Sequence, residues 1–260
     1  MEFTIRGCEI HTEAKPLGYT KKFGIRIFNW TVIFMGDNKT SQPAQYYDGN
    51  IEKTIPRYSL FHDETLSIVE TVNPKPRTWL DTGCGTGTFV SKTINNFNNL
   101  HIVLADPSEA MLSIAKGKLS GKEQSNLSYI KAGTEDLNYT EGSFDVITAI
   151  LAHHYLDVNT RKEATKNCFK MLKEGGIYVT FESIKANTEL GIKIGLERWR
   201  ESQLSKGKSL EAVERHIARY GLEFFPITIN SHIDLLNQVG FSIVEVLWIS
   251  GMQAGFYAIK

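Results

Sequence analysis

Three glycines and two acidic residues in the first half of the chain have the spacing of a ligand-binding turn. Gly83, Gly85 and Gly87 alternate shortly after Asp81. A second acid, Asp106, follows about 20 residues later, where a βαβ unit places a carboxylate that binds a ribose. Glycines let the backbone turn sharply and approach a ligand closely, because they carry no Cβ. The pattern therefore indicates a site for a ligand of the nucleotide type.

The elements that must position these residues are a strand, a turn, a helix and a second strand. A short apolar run, Trp79–Leu80, leads into the turn, and an amphipathic pattern over residues 89–97 predicts a helix after it. The apolar run from His101 to Ala105 predicts the strand that ends at Asp106. The start of the helix offers unpaired N–H groups and a partial positive charge to a ligand.

The spacing of the glycines separates two kinds of nucleotide site. An NAD-dependent oxidoreductase shares the strand, the glycines and the ribose acid, but its fingerprint is G-x-G-x-x-G. The turn here reads G-x-G-x-G, and no lysine follows Gly87 as in a phosphate-binding P-loop. The NAD-dependent oxidoreductase therefore remains the weaker alternative.

Several segments, taken in chain order, resemble those of class I S-adenosylmethionine-dependent methyltransferases. They are residues 81–87, 104–111, 133–137, 144–150 and the turn at 173–177. The resemblance extends from about residue 46 to residue 260. It implies S-adenosyl-L-methionine as the cofactor and a three-layer Rossmann-like α/β sandwich. The seven-stranded sheet would be mostly parallel, with a C-terminal antiparallel hairpin strand and a helical lid insertion.

The resemblance also implies which residues bind the cofactor. Asp106 would accept the ribose hydroxyls, Asp81 would hold the ammonium group, and Glu135 or Asp136 would lie beside the adenine amine. The predicted set is Tyr47, Arg57, Tyr58, Asp81, Gly83, Cys84, Gly85, Gly87, Asp106, Pro107, Met111, Thr134, Glu135, Asp136, Ala149 and Ile150. A carboxylate that only caps loop N–H groups is the alternative for Asp81. Loss of the Asp106 carboxylate is expected to leave the unliganded protein nearly as stable as before.

Two histidines follow the fourth predicted strand, beside the expected position of the methyl group. Neighbouring residues of a strand point to opposite faces, so His153 and His154 make a poor chelating pair, and the sequence predicts no metal site. We predict His154 as a catalytic base, with a packed or capped histidine as the alternative, and assign His153, Trp199 and Tyr220 to the substrate side. A base is not obligatory, since orientation alone contributes roughly 7–11 kcal/mol.

We divide the chain into an N-terminal extension, residues 1–40, and a methyltransferase domain, residues 41–260. Within the domain, two helical patterns at 185–221 interrupt the alternation of strands and helices, and the family resemblance implies that this insertion is the lid. The first 34 residues are compatible with a strand, a poor signal peptide, or an addition before a natural start at Met35. Their apolar run is shorter than the about 20 residues that a membrane span needs.

The composition of the chain limits the classes of partner that we expect it to bind. The chain has 29 basic and 29 acidic residues and a formal net charge of zero, which argues against a duplex nucleic-acid partner. Three cysteines without a C-x-x-C spacing favour a reducing, cytoplasmic compartment. The sequence therefore predicts a methyltransferase for a small-molecule acceptor, with no membrane partner and no prediction of oligomeric state. A module that binds the cofactor without catalysis is the alternative.

Overall fold

The computed structural model describes residues 37–121 and 126–260. The described helices are α1 (Ala44–Thr54), α2 (Tyr58–Val72), α3 (Thr88–Asn96), α4 (Glu109–Lys118), α5 (Val158–Met171), α6 (Glu189–Ser205), α7 (Leu210–Ile217) and α8 (Ile229–Val239). The described strands are β1 (Thr78–Thr82), β2 (His101–Ala105), β3 (Leu127–Ile130), β4 (Phe144–Ile150), β5 (Leu172–Ser183), β6 (Ile243–Ser250) and β7 (Gln253–Ile259). The alternatives for residues 1–34 lie outside the described residues.

The seven strands form one sheet in the order β3-β2-β1-β4-β5-β7-β6. Neighbouring strands from β3 to β5 are parallel, and β7 is antiparallel to both β5 and β6. The chain builds outward from β1 to β3 and then returns to place β4 on the other side of β1. Ligands of such sheets bind at the carboxyl ends of the strands, beside this reversal. The predicted fold class and terminal hairpin are confirmed.

Both faces of the sheet are buried, because alternate residues of each central strand enter different cores. On one face Trp79 and Val146 pack with side chains of α2, α3 and α4. On the other face Leu80 and Ile147 pack with side chains of α5 and α8. Each large apolar side chain buried in this way contributes about 1.5–3 kcal/mol. The result is a layer of helices on each side of a sheet whose strand ends are held rigidly.

The predicted bounds of β2 agree with the structure, and β5 continues to Ser183. Its extension follows from pairing with β7, which continues to the partners Ser183 and Gln253. The added residues bring Glu182 to the edge of the sheet where ligands bind. Helices α6 and α7 lie within the predicted insertion at 185–221.

No helix within residues 37–121 and 126–260 has both the length and the apolar character needed to cross a bilayer.

Candidate functional site

A cleft of about 880 Å³, counting the part open to solvent, lies at the carboxyl ends of β1, β2 and β4. We call it the cofactor cleft. Its described lining residues are Asn38, Lys39, Thr40, Tyr47, Gly83, Gly85, Asp106, Pro107, Met111, Gly133, Thr134, Glu135, Asp136, Ile150, Leu151, Ala152, His153, Tyr155 and Leu156. Most of the predicted cofactor-binding residues therefore meet in one place.

The glycine turn forms the floor of this cleft. Gly83 has a φ of 66° and Gly85 a φ of 53°, a left-handed conformation that residues with a Cβ rarely adopt. A Cβ on Gly83 would lie 2.4 Å from the Cβ of Ala152, so the strand ends could not approach each other as they do. A Cβ on Gly85 would meet nothing within 4 Å, which leaves its backbone open to a ligand.

Asp106 connects the glycine turn to the start of α4. Its Oδ2 accepts a hydrogen bond from the backbone N–H of Gly85 at 2.9 Å, and its Oδ1 accepts one from Ser108 at 2.8 Å. Burial raises the pKa of this carboxyl, and the two backbone hydrogen bonds oppose the rise. Each carboxylate oxygen has a second lone pair, so both can also accept a ribose hydroxyl.

A recess extends from the cofactor cleft beneath the glycine turn, and we call it the amino-acid recess. Its described lining residues are Tyr47, Tyr58, His62, Asp81, Gly83, Cys84, Gly85, Thr86, Thr88, Phe89 and Ile150. Asp81 is 2% exposed and accepts a hydrogen bond from the hydroxyl of Thr148 at 2.7 Å. Burial raises its pKa to about 7, although the bond from Thr148 opposes the rise.

The amino-acid recess contains groups that suit the two charges of an amino acid. No basic side chain in the described part of the chain contributes to the shift of the Asp81 pKa. Asp81 can therefore pair with a ligand ammonium. His62 is buried, and neither of its ring nitrogens has a hydrogen-bond partner among the described residues. Burial lowers the His62 pKa to about 4, so the neutral ring can donate one hydrogen bond to a carboxylate.

A second cavity of about 470 Å³, counting the part open to solvent, adjoins the cofactor cleft. We call it the acceptor cavity. Its described lining residues are Thr40, Ser41, Gln42, Tyr47, Ile51, Thr54, Ile55, Leu151, His154, Tyr155, Ser183, Trp199, His216 and Phe224. Thr40, Tyr47, Leu151 and Tyr155 line both the cofactor cleft and the acceptor cavity, so the two spaces are adjacent.

His154 is held at the wall of the acceptor cavity by Glu182. Its Nδ1 lies 2.9 Å from Glu182 Oε2, and its backbone N–H donates to the same oxygen at 2.8 Å. Burial raises the pKa of Glu182, but hydrogen bonding to His154 opposes burial, and the pKa lies well below its ordinary value. An ionised carboxylate only accepts hydrogen bonds. We therefore assign the proton to Nδ1, which leaves the lone pair of Nε2 for a ligand.

The structure does not place His153 on the acceptor side, where the sequence placed it. His153 lines the cofactor cleft, with Nε2 3.1 Å from the hydroxyl of Thr134 and Nδ1 3.1 Å from that of Tyr178. Burial lowers its pKa to about 4. The two histidines follow each other in a short turn, His153–Tyr155, and point in different directions. His153 therefore holds the Thr134–Asp136 turn.

Arg57 and Gly87 line neither the cofactor cleft, nor the amino-acid recess, nor the acceptor cavity, contrary to the sequence prediction. Arg57 has a φ of 61° in the turn between α1 and α2, and this turn leaves its side chain exposed. Gly87 begins α3 with a φ of 72°, and a Cβ there would lie 3.0 Å from the Cβ of Ala115. Its role is therefore the close packing of α3 against α4.

Ala149 and Tyr220 also lie outside the cofactor cleft, the amino-acid recess and the acceptor cavity. Ala149 is fully buried in the core beneath the sheet, because alternate residues of β4 face opposite sides and its neighbour Ile150 faces the cleft. Tyr220 packs edge-on against Phe224 with ring centroids 5.7 Å apart. It is Phe224, one ring further in, that lines the acceptor cavity.

Sequence reasoning missed His62, Glu182 and His216. The position of Glu182 after an apolar run, at the carboxyl end of a strand, is a signal that could have found it. His62 and His216 lie on helices, where the apolar pattern gives no reason to separate a ligand-facing histidine from a packed one. Residues 38–40 line the cofactor cleft although they fall within the predicted extension.

Comparison with known proteins gives evidence about function that is independent of the geometry of the site. Residues 80–178 match a family model described as a methyltransferase domain. The chain is 22% identical over 234 residues to the carboxy-S-adenosyl-L-methionine synthase of Staphylococcus epidermidis, covering 90% of this chain and 98% of that protein. It is 32% identical over 108 residues to the ubiquinone/menaquinone biosynthesis C-methyltransferase UbiE of Vibrio parahaemolyticus, covering 41% of each.

A solved structure shares the fold. Human N-acetylserotonin methyltransferase in complex with S-adenosylmethionine aligns with a TM-score of 0.57 at 15% identity. The alignment covers 85% of this chain and 57% of that enzyme. The matched methyltransferase domain runs from the glycine turn into β5, the region that builds the cofactor cleft. Residues 80–178 therefore form a methyltransferase domain, and the chain shares the Rossmann-like fold of a solved S-adenosylmethionine-dependent methyltransferase.

Proposed function

We propose that the protein transfers the methyl group of S-adenosylmethionine to a small molecule bound in the acceptor cavity. The observation that carries this proposal is the junction of the two spaces at Leu151 and Tyr155, with His154 on the acceptor side. Release of S-adenosylhomocysteine with a panel of small metabolites tests the proposal. A panel that yields none above the acceptor-free rate would count against it.

The described residues fit the cofactor. Asp106 is placed to accept the ribose hydroxyls, and Asp81 can pair with the ammonium group. Met111 and the Thr134–Asp136 turn flank the part of the cleft that remains for adenine. The side-chain amide of Asn167 holds this turn by donating to the carbonyls of Thr134 and Glu135 at 3.2 and 2.8 Å.

When bound, S-adenosylmethionine supplies a methyl group activated by the positive sulfonium. The protein's own contribution is to orient the acceptor, to exclude water and to hold a base. Leu151 and Tyr155 separate the two ligands from bulk solvent at the junction. Nε2 of His154 is positioned to accept the proton that the acceptor loses, and Glu182 stabilises the resulting imidazolium.

Affinity for S-adenosylmethionine is expected to weaken about tenfold between about pH 7 and pH 5.5, because only an ionised Asp81 attracts the ammonium group. The Asp81 pKa is about 7 without ligand, so the carboxyl takes up a proton across this range while an α-amino group stays charged. Calorimetric titration of the parent and of Asp81→Asn measures the effect. Asp81→Asn should bind more weakly and with little pH dependence; equal slopes for both proteins would contradict the assignment.

The unliganded protein should show the opposite trend in stability. The folded Asp81 has a raised pKa, so the native state binds more protons than the unfolded state between about pH 4 and pH 7. The contribution of Asp81 to the free energy of unfolding should therefore fall as the pH rises through this window. Asp81→Asn removes that contribution, and urea unfolding at several pH values measures the difference.

Trp199→Ala is expected to lower kcat/KM for the acceptor at least about tenfold while the Kd of S-adenosylmethionine changes less than about threefold. Trp199 is 4% exposed, lines the acceptor cavity and donates from Nε1 to the carbonyl of Thr54 at 2.6 Å. Loss of so large a side chain also costs about 3–5 kcal/mol of stability.

Trp248→Ala is the matched control for Trp199→Ala. Trp248 packs on Phe61 and Phe181, outside both spaces, so its loss destabilises the fold without favouring one ligand over the other. An equal loss of acceptor use and cofactor affinity in Trp199→Ala would show that Trp199 belongs only to the core.

A second candidate function is synthesis of carboxy-S-adenosylmethionine, which the match over 98% of the Staphylococcus enzyme favours. The two functions differ in their product. Mass spectrometry would show S-adenosylhomocysteine and a methylated acceptor in the first case, and a cofactor carrying an added carboxyl group in the second. The absence of charged side chains from the described lining of the acceptor cavity supports the first.

A further inference from the structure

The acceptor cavity has a wall of aromatic rings. The imidazole of His216 stacks on Phe224, with centroids 5.9 Å apart and planes 22° apart. Trp199 meets His216 edge-on at 5.0 Å, and Tyr155 meets Phe224 edge-on at 6.5 Å. Ring walls of this kind pack favourably against a flat aromatic ligand. The shape of the cavity therefore favours an aromatic acceptor.

The described lining of the cavity contains no aspartate, glutamate, lysine or arginine. Burial raises the pKa of both Tyr47 and Tyr155, so these phenols stay neutral. The guanidinium of Arg219 lies over the ring of Phe224 and donates to Glu223 and to the carbonyl of Lys39. A charged ligand group placed here would contact no charged residue of the described lining, and burying an unpaired charge is strongly unfavourable. The lining therefore favours an uncharged acceptor.

His216 gives the cavity a polar feature that the protein leaves unused. The residue is 6% exposed, and neither ring nitrogen has a hydrogen-bond partner among the described residues. Burial lowers its pKa to about 3, so the ring is neutral and offers one donor and one acceptor. An unpaired buried group of this kind costs free energy that a ligand hydroxyl or carbonyl can recover.

The pair of His154 and Glu182 indicates which atom of the acceptor reacts. An aromatic hydroxyl has a pKa near 10, so it stays protonated at neutral pH and becomes a good nucleophile only as it loses its proton. A base is therefore needed for an aromatic alcohol, whereas a thiolate or a neutral amine reacts without one. The arrangement of Nδ1 against Glu182 supplies that base at Nε2.

We propose that the acceptor is an uncharged phenol that lies flat against the ring wall, is methylated on the hydroxyl facing His154, and carries a second uncharged polar group that hydrogen-bonds to His216. This inference rests on the proposed function. The phenol oxygen forms a bond to the methyl carbon, the carbon–sulfur bond breaks with its electron pair going to sulfur, and the phenol proton goes to Nε2 of His154.

The first test compares simple ring compounds. Catechol, resorcinol and hydroquinone place a second hydroxyl at each ring position, phenol lacks it, and 4-hydroxybenzoate and tyramine carry a charge. The best diol is expected to exceed phenol and both charged compounds by at least about tenfold in kcat/KM. The same order is expected for binding to the complex with S-adenosylhomocysteine, measured by calorimetry. Phenol equal to the best diol, or a charged compound that is preferred, would overturn the proposal.

The second test changes His216. In His216→Phe the preference for the best diol over phenol should fall at least about tenfold, and His216→Asn, which keeps a donor and an acceptor, should recover part of it. The matched control is His232→Phe, because His232 is also buried with an unpaired nitrogen but stacks on Phe256 and does not line the cavity. The control should keep the preference. An unchanged preference in His216→Phe, or an equal loss in the control, would contradict the role of His216.

The outcome separates this inference from the proposed function. If none of the six compounds is methylated while other small metabolites still release S-adenosylhomocysteine, the acceptor class is wrong and the proposed function stands. If neither the compounds nor a wider set of metabolites releases it, although S-adenosylmethionine binds, both proposals fail.

Discussion

Replacing Asp106 by alanine is expected to weaken S-adenosylmethionine binding about 30- to 1,000-fold. The variant loses two hydrogen bonds from the ribose to a charged group, which together contribute about 2–4 kcal/mol. Asp106→Asn keeps one oxygen as an acceptor and should fall between the variant and the parent. Calorimetric titration of the three proteins measures the series. Binding by a folded Asp106→Ala protein within about threefold of the parent would contradict the ribose assignment.

The structure changes the stability that we expect for the unliganded Asp106→Ala variant. From the sequence alone, a carboxylate at a strand end is expected to add little stability. In the structure it accepts hydrogen bonds from Gly85 and Ser108 and so connects two segments of the chain. We therefore expect Asp106→Ala to lower the free energy of unfolding by about 1–3 kcal/mol, the range for leaving buried partners unpaired.

Asp145 provides a matched control for Asp106. Its Oδ2 also accepts hydrogen bonds from two backbone N–H groups, those of Arg77 and Thr78, but at the opposite end of β1. Asp145→Ala should therefore lower stability and leave the affinity for S-adenosylmethionine unchanged. A similar loss of affinity in both variants would mean that the Asp106 effect reports general loosening of the fold.

Replacing His154 by glutamine is expected to lower the single-turnover methylation rate by about 10²- to 10⁴-fold at saturating cofactor, the usual contribution of a positioned general base. The Kd of S-adenosylmethionine should change little, because His154 lines the acceptor cavity. Glu182→Gln should lower the rate less, because the imidazole remains. The carboxylate no longer fixes the tautomer of the ring or stabilises its protonated form. Rapid-quench measurement across pH tests both variants.

The pH profile distinguishes a base from a packing residue. A general base gives the methylation rate a pH dependence, and this dependence should disappear in His154→Gln. The neighbouring His153 holds the Thr134–Asp136 turn through Thr134, so His153→Gln should affect cofactor affinity and keep the pH profile. A His154→Gln protein that retains the parent rate and profile would show that no base acts at this position.

The sequence allowed the grouping of residues around the cofactor cleft to be predicted because that side is local, while their contacts with the cofactor stay predictions. The glycine turn and Asp106 belong to one continuous βαβ unit, and spacing along such a unit fixes position in space. The position of His154 near the site could also be predicted, since it follows a strand whose end had to reach the site, but its role as a base stays a prediction. The extent of the sheet followed in the same way from the alternation of strands and helices.

The acceptor side was less predictable because distant segments build it. Glu182 meets His154 through the pairing of β4 with β5, and neither residue shows this in its own neighbourhood. His216 and Phe224 come to the cavity from α7 and the turn after it, where apolar spacing made Tyr220 as plausible as Phe224. Arg57 was misplaced because a left-handed turn, which no spacing rule identified, leaves its side chain exposed.

The central claim is methyl transfer from S-adenosylmethionine to a small molecule, and an isotope experiment tests it most directly. The protein is incubated with S-adenosylmethionine carrying a deuterated methyl group and with the panel of phenols and metabolites, and the products are identified by mass spectrometry. The account predicts equal amounts of S-adenosylhomocysteine and of one acceptor that carries the intact labelled methyl group. Cofactor binding confirmed by calorimetry, with neither product above the level of a protein-free control, would contradict it.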